Sequence, residues 1–484
     1  MLGRRFSIRR LFHSITLGFF FVLVMCYSKW DFIQDSFRPD LLRVERSLEN
    51  DDIDEFGYDF TSVSENLSST VEDIVEGSSF SGFDKGLIRL KKTRKNTLPK
   101  MPVFDYGRDR DVDVEGVEDY VMWHENFKTD TPLPVIPRQQ KCSKPSLNIA
   151  FLKTHFTGSD VLTNIFNRLG DLRDLNMALP SDGLSTFYWP MRFQWKYIDI
   201  TLLNGSLPNI ICNHARYNGD VMDNIMTPGS VYVTILRNPA TQLETTFHNL
   251  RFADLLGIEN VEDKVETFIS NPKVYIQNVI KQRKFKDSLN LIKNGMFFDL
   301  GLSTTEYHKK DVIRSTIWEL YEKFSLVLIY EYLDESLILM RRRFCLELDD
   351  ILYLKMHHTN QNANNREKFS PELIELIRTW NSADMELYTF FNNTLWKEIS
   401  YEGDSFWEEL REYRMKLREM EIDCLGEESS ITGSGLSQNL MMEQAVRINP
   451  NVSDTNLYLC KKLIMSEVEY LDYFRRKELL SRKR

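Results

Sequence analysis

The chain has 484 residues, of which 42% are hydrophobic and 27% charged, and its formal net charge is -10. That much apolar material can bury a large core, which excludes wholesale disorder, and the acidic balance argues against a nucleic-acid binder. Six cysteines do not make a disulfide-dense scaffold at this length, and no C-x-x-C, H-E-x-x-H or complete G-x-x-x-x-G-K-[ST] occurs, so zinc and ATPase signatures are absent.

The N-terminus opens with Arg4, Arg5, Arg9 and Arg10, followed by an apolar run from Leu11 to Tyr27. A membrane-crossing helix needs about 17–25 residues, so the run is at the short end of that range. Arginines before it and few positive charges just after it predict a cytoplasmic tail (1–10), a signal-anchor transmembrane helix (11–28) and a lumenal remainder. A cleaved signal peptide is the competing reading, but the apolar run is long for one and no small-x-small site follows it. A short span suits an early-secretory membrane. The sequons at Asn66, Asn204, Asn392 and Asn451 fit a lumenal side. In an oxidising lumen some cysteines should pair. Cys424 and Cys460 flank a polar loop and are the expected bridge, whereas Cys345, in an apolar context, reads as a buried thiol.

Residues 29–140 read as a lumenal stem. The acidic, Ser/Gly-rich stretch 51–82 cannot bury enough surface to offset its chain entropy. The basic patch Lys91, Lys92, Arg94 and Lys95 reads as solvated loop, and the Pro-rich 131–140 as a stiff spacer.

From Ser146 the pattern changes. Short apolar runs at 147–153, 209–212, 231–237 and 325–333 have the look of buried strands. Helical patterns separate them at 161–172, 261–269, 310–324 and 335–348. Such alternation predicts an α/β fold with a mostly parallel sheet flanked by helices on both faces. After Ser370 the pattern is helical, ending in an amphipathic, basic-tailed element from Ser466 to Arg484.

In an open parallel sheet, ligands sit outside the carboxyl ends of the strands, and polar clusters occur at such ends here. Lys153, Thr154, Thr157, Gly158 and Ser159 join the first strand to a helix whose first N–H groups suit an anion. Arg237 ends the third strand, with Thr245 on the helix that follows, a pairing that suits a phosphate. A strand-end salt bridge is the plain alternative for Arg237. His214 follows the second strand and is a candidate general base; a lone histidine is more often structural.

Together these segments resemble the galactose 3-O-sulfotransferases of the Golgi, which include galactosylceramide sulfotransferase. The resemblance runs from Ser146 to the C-terminal region and rests on FLKTHFTGSD, CNHARYN, TILRNPATQLETTF, GMFFDLG, LVLIYEYLDESLILMRRR, LDD, FNNTLW and CKKLIM. It implies a P-loop-like sulfotransferase domain over 146–484, on a single-pass type II Golgi membrane protein. It also implies transfer of a sulfuryl group from 3'-phosphoadenylyl sulfate (PAPS) to the 3-hydroxyl of a terminal galactose on a glycolipid or glycoprotein. By that resemblance the 153–160 loop holds the 5'-phosphosulfate, Arg237 and Thr245 hold the 3'-phosphate, and His214 takes the acceptor proton. No metal is expected, because lysine, arginine and backbone N–H groups supply the positive charge. A homodimer is left open.

The chain departs from the family's loop, which usually reads Lys-Thr-His-Lys-Thr-Ala-Ser-Ser. Phe156 replaces the second lysine, which contacts the donor's bridging oxygen, and Asp160 replaces the last serine. Loss of one preorganised donor costs about 2.7–4 kcal/mol. Lys153 is the expected stand-in, as catalytic and donor-binding residue. The alternative is an impaired member acting as a glycan-binding or scaffolding protein. A further alternative, a metal-dependent glycosyltransferase using Asp109, Asp111 and Asp113, suffers because those residues lie in the stem. Trp189, Phe193, Trp195 and Tyr197 offer aromatic faces for a sugar, with core packing as the default. His357-His358 lacks identifiable partners, and Arg341–Arg343 reads as a helix C-terminal cluster.

Overall fold

The computed structural model describes residues 131–134, 143–203, 205–284, 286–354, 369–425 and 448–481. The expected anchor, most of the stem, the D-x-D run, Asn66, Asn204 and His357-His358 lie outside them. Among the described residues no helix is long and apolar enough to cross a membrane.

The core is a parallel sheet of strands β1 (Ile149–Leu152), β2 (Ile210–Ile211), β3 (Val231–Leu236) and β4 (Phe324–Ile329), in the order β2-β1-β3-β4. All pairings are parallel, with Ile149 opposite both Ile210 and Val231 and Val233 opposite Leu326. Every residue of β1 and β2 is buried. A strand buried on both of its alternating faces needs cover on both sides of the sheet, as the sequence pattern predicted.

Helix α1 (Ser159–Leu172) leaves β1, and α2 (Pro239–Asn249) leaves β3. Pro239 at the first helical turn and the Asn238 side chain, which accepts from Ala240 N at 3.0 Å, start α2. The one-turn α3 (Gly295–Asp299) precedes α4 (Lys310–Lys323), which feeds β4. The chain leaving β1 goes next to β2 at one edge, whereas the chain leaving β3 goes to β4 at the other. At such a switch point the outgoing loops diverge, and the crevice that a ligand would use is expected at the carboxyl ends of β1 and β3.

The apolar run 325–333 does not stay extended to its end. After Ile329 the chain makes a 3-10 turn over Tyr330–Tyr332 and enters α5 (Leu333–Phe344). Ser336 Oγ accepts from Ile329 N at 3.1 Å, and Glu331 turns back to accept from Asn238 N at 2.8 Å, which ends the strand. The C-terminal part is helical: α6 (Pro371–Trp380), α7 (Ser382–Ile399), α8 (Asp404–Leu425), α9 (Leu457–Ile464) and α10 (Glu467–Ser481).

Several expectations change. Thr131 is buried and its N–H and hydroxyl donate to Glu386 of α7, so the start of the expected Pro-rich spacer is part of the folded unit. Arg341–Arg343 do fall in the last turn of α5, as expected, and there Arg341 and Arg342 also pair with Glu409 of α8 and buried Arg343 with Glu398 of α7. Cys345 is disulfide-bonded rather than a plain thiol, to a partner outside the described residues, and buried Cys212 is free. Cys424 and Cys460 form the expected bridge. Asn451 is exposed, but Asn392 is only 4% exposed inside α7. Asn392 is thus packed within the core in this fold.

The bridge joins α8 to α9 across a separation of 36 residues. Its loss frees a long loop in the unfolded chain, so Cys424→Ser should lower stability by about 2–4 kcal/mol, read from urea unfolding without reductant.

Candidate functional site

The loop leaving β1 is held from within. Thr154 Oγ1 donates to Ile235 O of β3, and Thr157 Oγ1 and Ser159 Oγ donate to Thr154 O at 3.1 and 2.8 Å. Thr154, Thr157 and Ser159 are all buried. Their hydroxyls thus fold the loop rather than face outward, which leaves the N–H groups at the start of α1 as the groups suited to an anion. Gly158 lets the turn close. It has φ +71, and a Cβ there would lie 2.3 Å from the Tyr330 ring. Phe156 adopts φ 59, the left-handed region that disfavours a bulky side chain.

Arg237, at the end of β3, donates through Nη1 to Phe156 O at 3.1 Å and through Nε to Thr241 Oγ1 at 3.2 Å. Its guanidinium also lies 4.8 Å from the Tyr330 ring centre. Gln242 Nε2 donates to His155 O at 3.1 Å. The loops after β1 and β3 are thus clasped into one wall of the crevice. Thr245 is one turn beyond Thr241 on α2, its hydroxyl donating to Thr241 O at 2.9 Å. Arg237 therefore touches Thr241, one turn before Thr245 and not singled out by the sequence pattern.

Lys153 points into a carboxylate clamp. Its ammonium donates to Asp160 Oδ1 at 2.7 Å and to Glu467 of α10, whose other oxygen accepts from Asn213 Nδ2 at 2.7 Å. The lysine is 3% exposed. Burial pushes its pKa down, but Asp160 and Glu467 outweigh that and hold it above the usual value. Asp160 therefore turns to Lys153 rather than capping the helix.

Two histidines meet at the crevice. His155 and His214 stack with ring centres 4.0 Å apart. Burial, with the charges of His155 and Lys153, holds His214 well below the usual imidazole range, and its Nδ1 is buried without a partner. His155 is differently placed. Its Nδ1 and its backbone N both bond Asp299 Oδ2 at 2.8 Å, and Trp189 Nε1 donates to Asp299 Oδ1 at 2.8 Å. With Nδ1–H given to the carboxylate, Nε2 is the basic nitrogen of His155. The Trp189 ring centre lies 4.6 Å from that of His155. Trp189 therefore reaches the site, whereas Phe193 and Tyr197 are buried in the core and Trp195 is exposed. The sequence reading missed His155 and Asp299 as a pair, although both lie in its quoted motifs, THFTGSD and GMFFDLG. Glu467 carried no signal, because only the fold brings α10 to the end of β1.

These features define a class: a parallel α/β protein with an arginine-clasped crevice at the switch point of its sheet and a carboxylate-oriented histidine at the rim. The comparisons make this specific. The family model described as Galactose-3-O-sulfotransferase matches residues 116–478, and the chain belongs to that family. Galactose-3-O-sulfotransferase 2 of Homo sapiens is 29% identical over 365 residues, 72% of this chain and 87% of that protein. Galactose-3-O-sulfotransferase 3 of Mus musculus is 30% identical over 350 residues, 68% and 78% of the two chains. The galactosylceramide sulfotransferase of Mus musculus is 27% identical over 341 residues, again 68% and 78%. The family is one of sulfotransferases, and among the described residues no cluster of side chains suited to a metal ion occurs.

Gly158→Ala tests the loop. The backbone cost of φ > 0 is roughly 1–2 kcal/mol, and the contact with Tyr330 adds to it. A fall of melting temperature should be seen, and Tyr330→Ala in the same chain should restore part of it.

Proposed function

We propose that the chain transfers a sulfuryl group from PAPS to the 3-hydroxyl of a terminal galactose on a glycolipid or glycoprotein glycan. It would do so in the Golgi lumen, as a single-pass type II membrane protein. The family match supports the reaction class. The observation that carries the site is the Arg237 bond to the Phe156 carbonyl, which draws the two anion-suited loops into one wall.

The residues present fit a doubly phosphorylated nucleotide in part. The start of α1 supplies N–H groups for the 5'-phosphosulfate, held by Thr154, Thr157, Gly158 and Ser159 as shapers of the loop. Arg237 and α2, with Thr241 and Thr245 on consecutive turns, are assigned to the 3'-phosphate. The proton-accepting role moves from His214 to His155, because His155 has an orienting carboxylate and His214 does not. His155 Nε2 takes the proton of the galactose hydroxyl as its oxygen bonds to sulfur. The bond from sulfur to the phosphate oxygen breaks, and adenosine 3',5'-bisphosphate leaves. Asp299 stabilises the resulting imidazolium, and Trp189 offers its face beside the acceptor.

The fit fails in one respect. The lysine assigned to the leaving oxygen is clamped by Asp160 and Glu467, and Phe156 supplies no charge. That observation favours the second reading, an impaired member that binds glycan. Sulfate transfer from radiolabelled PAPS to a panel of galactosides by the full-length protein in detergent separates the two. Transfer in the wild type, falling about 100-fold or more in Asp299→Asn, supports catalysis; no transfer and no donor binding by calorimetry support the second reading. In Phe156→Lys/Asp160→Ser the lysine returns and one clamp is released, so donor affinity and turnover should rise by up to about 100- to 1000-fold. An unchanged rate in that variant would place the defect elsewhere.

A further inference from the structure

Helix α3 is a single turn, yet much of the site depends on it. Its last residue, Asp299, holds His155 and Trp189 through its carboxylate and Tyr217 N through its carbonyl at 2.8 Å. Met296 Sδ accepts from Arg237 N at 3.4 Å, and the Phe298 ring lies 3.9 Å from the Arg216 guanidinium carbon. A five-residue helix has too few internal bonds to hold itself, so something else must fix it.

That fixture is on α7. Asp384 Oδ1 accepts from Phe297 N at 2.8 Å and Oδ2 accepts from Met296 N at 3.1 Å. Asn381 Oδ1 accepts from Asn294 N at 2.8 Å, and Asn294 Oδ1 accepts from Asp384 N at 3.1 Å. Asn294, Asn381, Asp384 and Asp299 are all buried, Asn294 and Asp384 completely. A carboxylate sealed from water is retained against a desolvation cost of several kcal/mol, and here both of its oxygens are spent on the turn that carries Asp299.

We infer that Asp384 is a positioning residue for the reaction. By gripping the first N–H groups of α3 it fixes the depth and angle at which Asp299 meets His155, without touching donor or acceptor. This rests on the proposed roles of His155 and Asp299. The two carboxyl groups also feel each other. Burial pushes the Asp384 carboxyl up to about 7, its two N–H donors oppose the rise, and the charge of Asp299 adds to it. Any shift of the turn therefore changes both the geometry and the field at Asp299.

The test uses the full-length protein and a readout independent of turnover. Diethylpyrocarbonate modifies neutral imidazole at Nε2, and peptide mass mapping gives a rate for each histidine. Exposed His248 and His308 serve as internal references. In Asp384→Asn one N–H loses its acceptor, so the His155 modification rate should change several-fold, in the same direction and by a similar factor as in Asp299→Asn. His248 and His308 should keep their rates. The double variant Asp299→Asn/Asp384→Asn should be no worse than Asp299→Asn alone, because a residue acting only through Asp299 adds nothing once Asp299 is lost. In the transfer assay, kcat should fall about 10- to 100-fold with the KM for PAPS within twofold. If Asp384→Asn does not fold, Asp384→Glu replaces it: the carboxylate remains but the turn is displaced, and the same His155 and kcat changes are expected. A His155 rate equal to wild type, or a double variant whose losses multiply, overturns the inference. A wild type that transfers no sulfate while His155 reactivity still tracks Asp384 overturns the proposed function and leaves the positioning intact.

Discussion

The site depends on the bonds that join neighbouring strand ends, and among them one carries a charge. Arg237, just past the end of β3, donates to the carbonyl of Phe156, in the loop after β1. The strand order makes this bond necessary. At a switch point the outgoing loops of adjacent strands run apart, and nothing in the sheet holds them together beyond its edge. A buried guanidinium spanning the gap does so, and the same group is the positive charge an anion would meet. Structure and proposed recognition therefore draw on one side chain, with its other donor placed on Thr241 at the start of α2. The loop hydroxyls follow the same logic. They are consumed in shaping the turn, which leaves the backbone N–H groups as the cradle.

Charge balance sets the second constraint. Around the loop stand the cations Lys153 and Arg237 and the anions Asp160, Glu467 and Asp299. A highly charged donor entering this crevice meets a lysine that already has two carboxylate partners. Asp160, where the family's loop has serine, is drawn to Lys153. Its cost is paid in the lysine's availability. Glu467 extends the coupling to the C-terminus. The start of α10 is bonded to the ends of both β1 and β2 through Lys153 and Asn213, so any motion of α10 changes the charge presented at the loop.

The strands were legible because apolar runs such as 147–153 and 231–237 are buried on both faces, and that burial writes itself as an uninterrupted run. Their parallel order followed from the intervening helical patterns. The end of β4 was not legible, because the bonds that stop it, from Asn238 N to Glu331 and from Ile329 N to Ser336, pair residues whose meeting depends on the fold. The same holds for the site. Lys153, Arg237 and Gly158 stand at strand ends or in tight turns that a sequence marks. The partners that decide their chemistry come from distant segments: Glu467 to Lys153, Asp299 to His155 and Tyr330 to Gly158. His214 stands in a clear motif, whereas the carboxylate that bonds His155 comes from a segment far along the chain. Asn392 looked like a glycan acceptor by the same local logic and is part of the core of α7.

The division of labour between α3 and α7 gives the arrangement its physical sense. A general base has to keep its orientation while a proton and a large anionic group move beside it. His155 and Arg237 stand on loops, and loops yield easily. Asp299, which orients the histidine, therefore needs an anchor outside those loops. Helix α7 is long and packs on β4, and buried Asn381, just before it, and Asp384, in its first turn, carry the turn that holds Asp299. The histidine is thus referenced to the sheet through two routes, its own strand and α7 by way of α3. Two routes to one imidazole restrain His155 even though it stands within the loop that leaves β1.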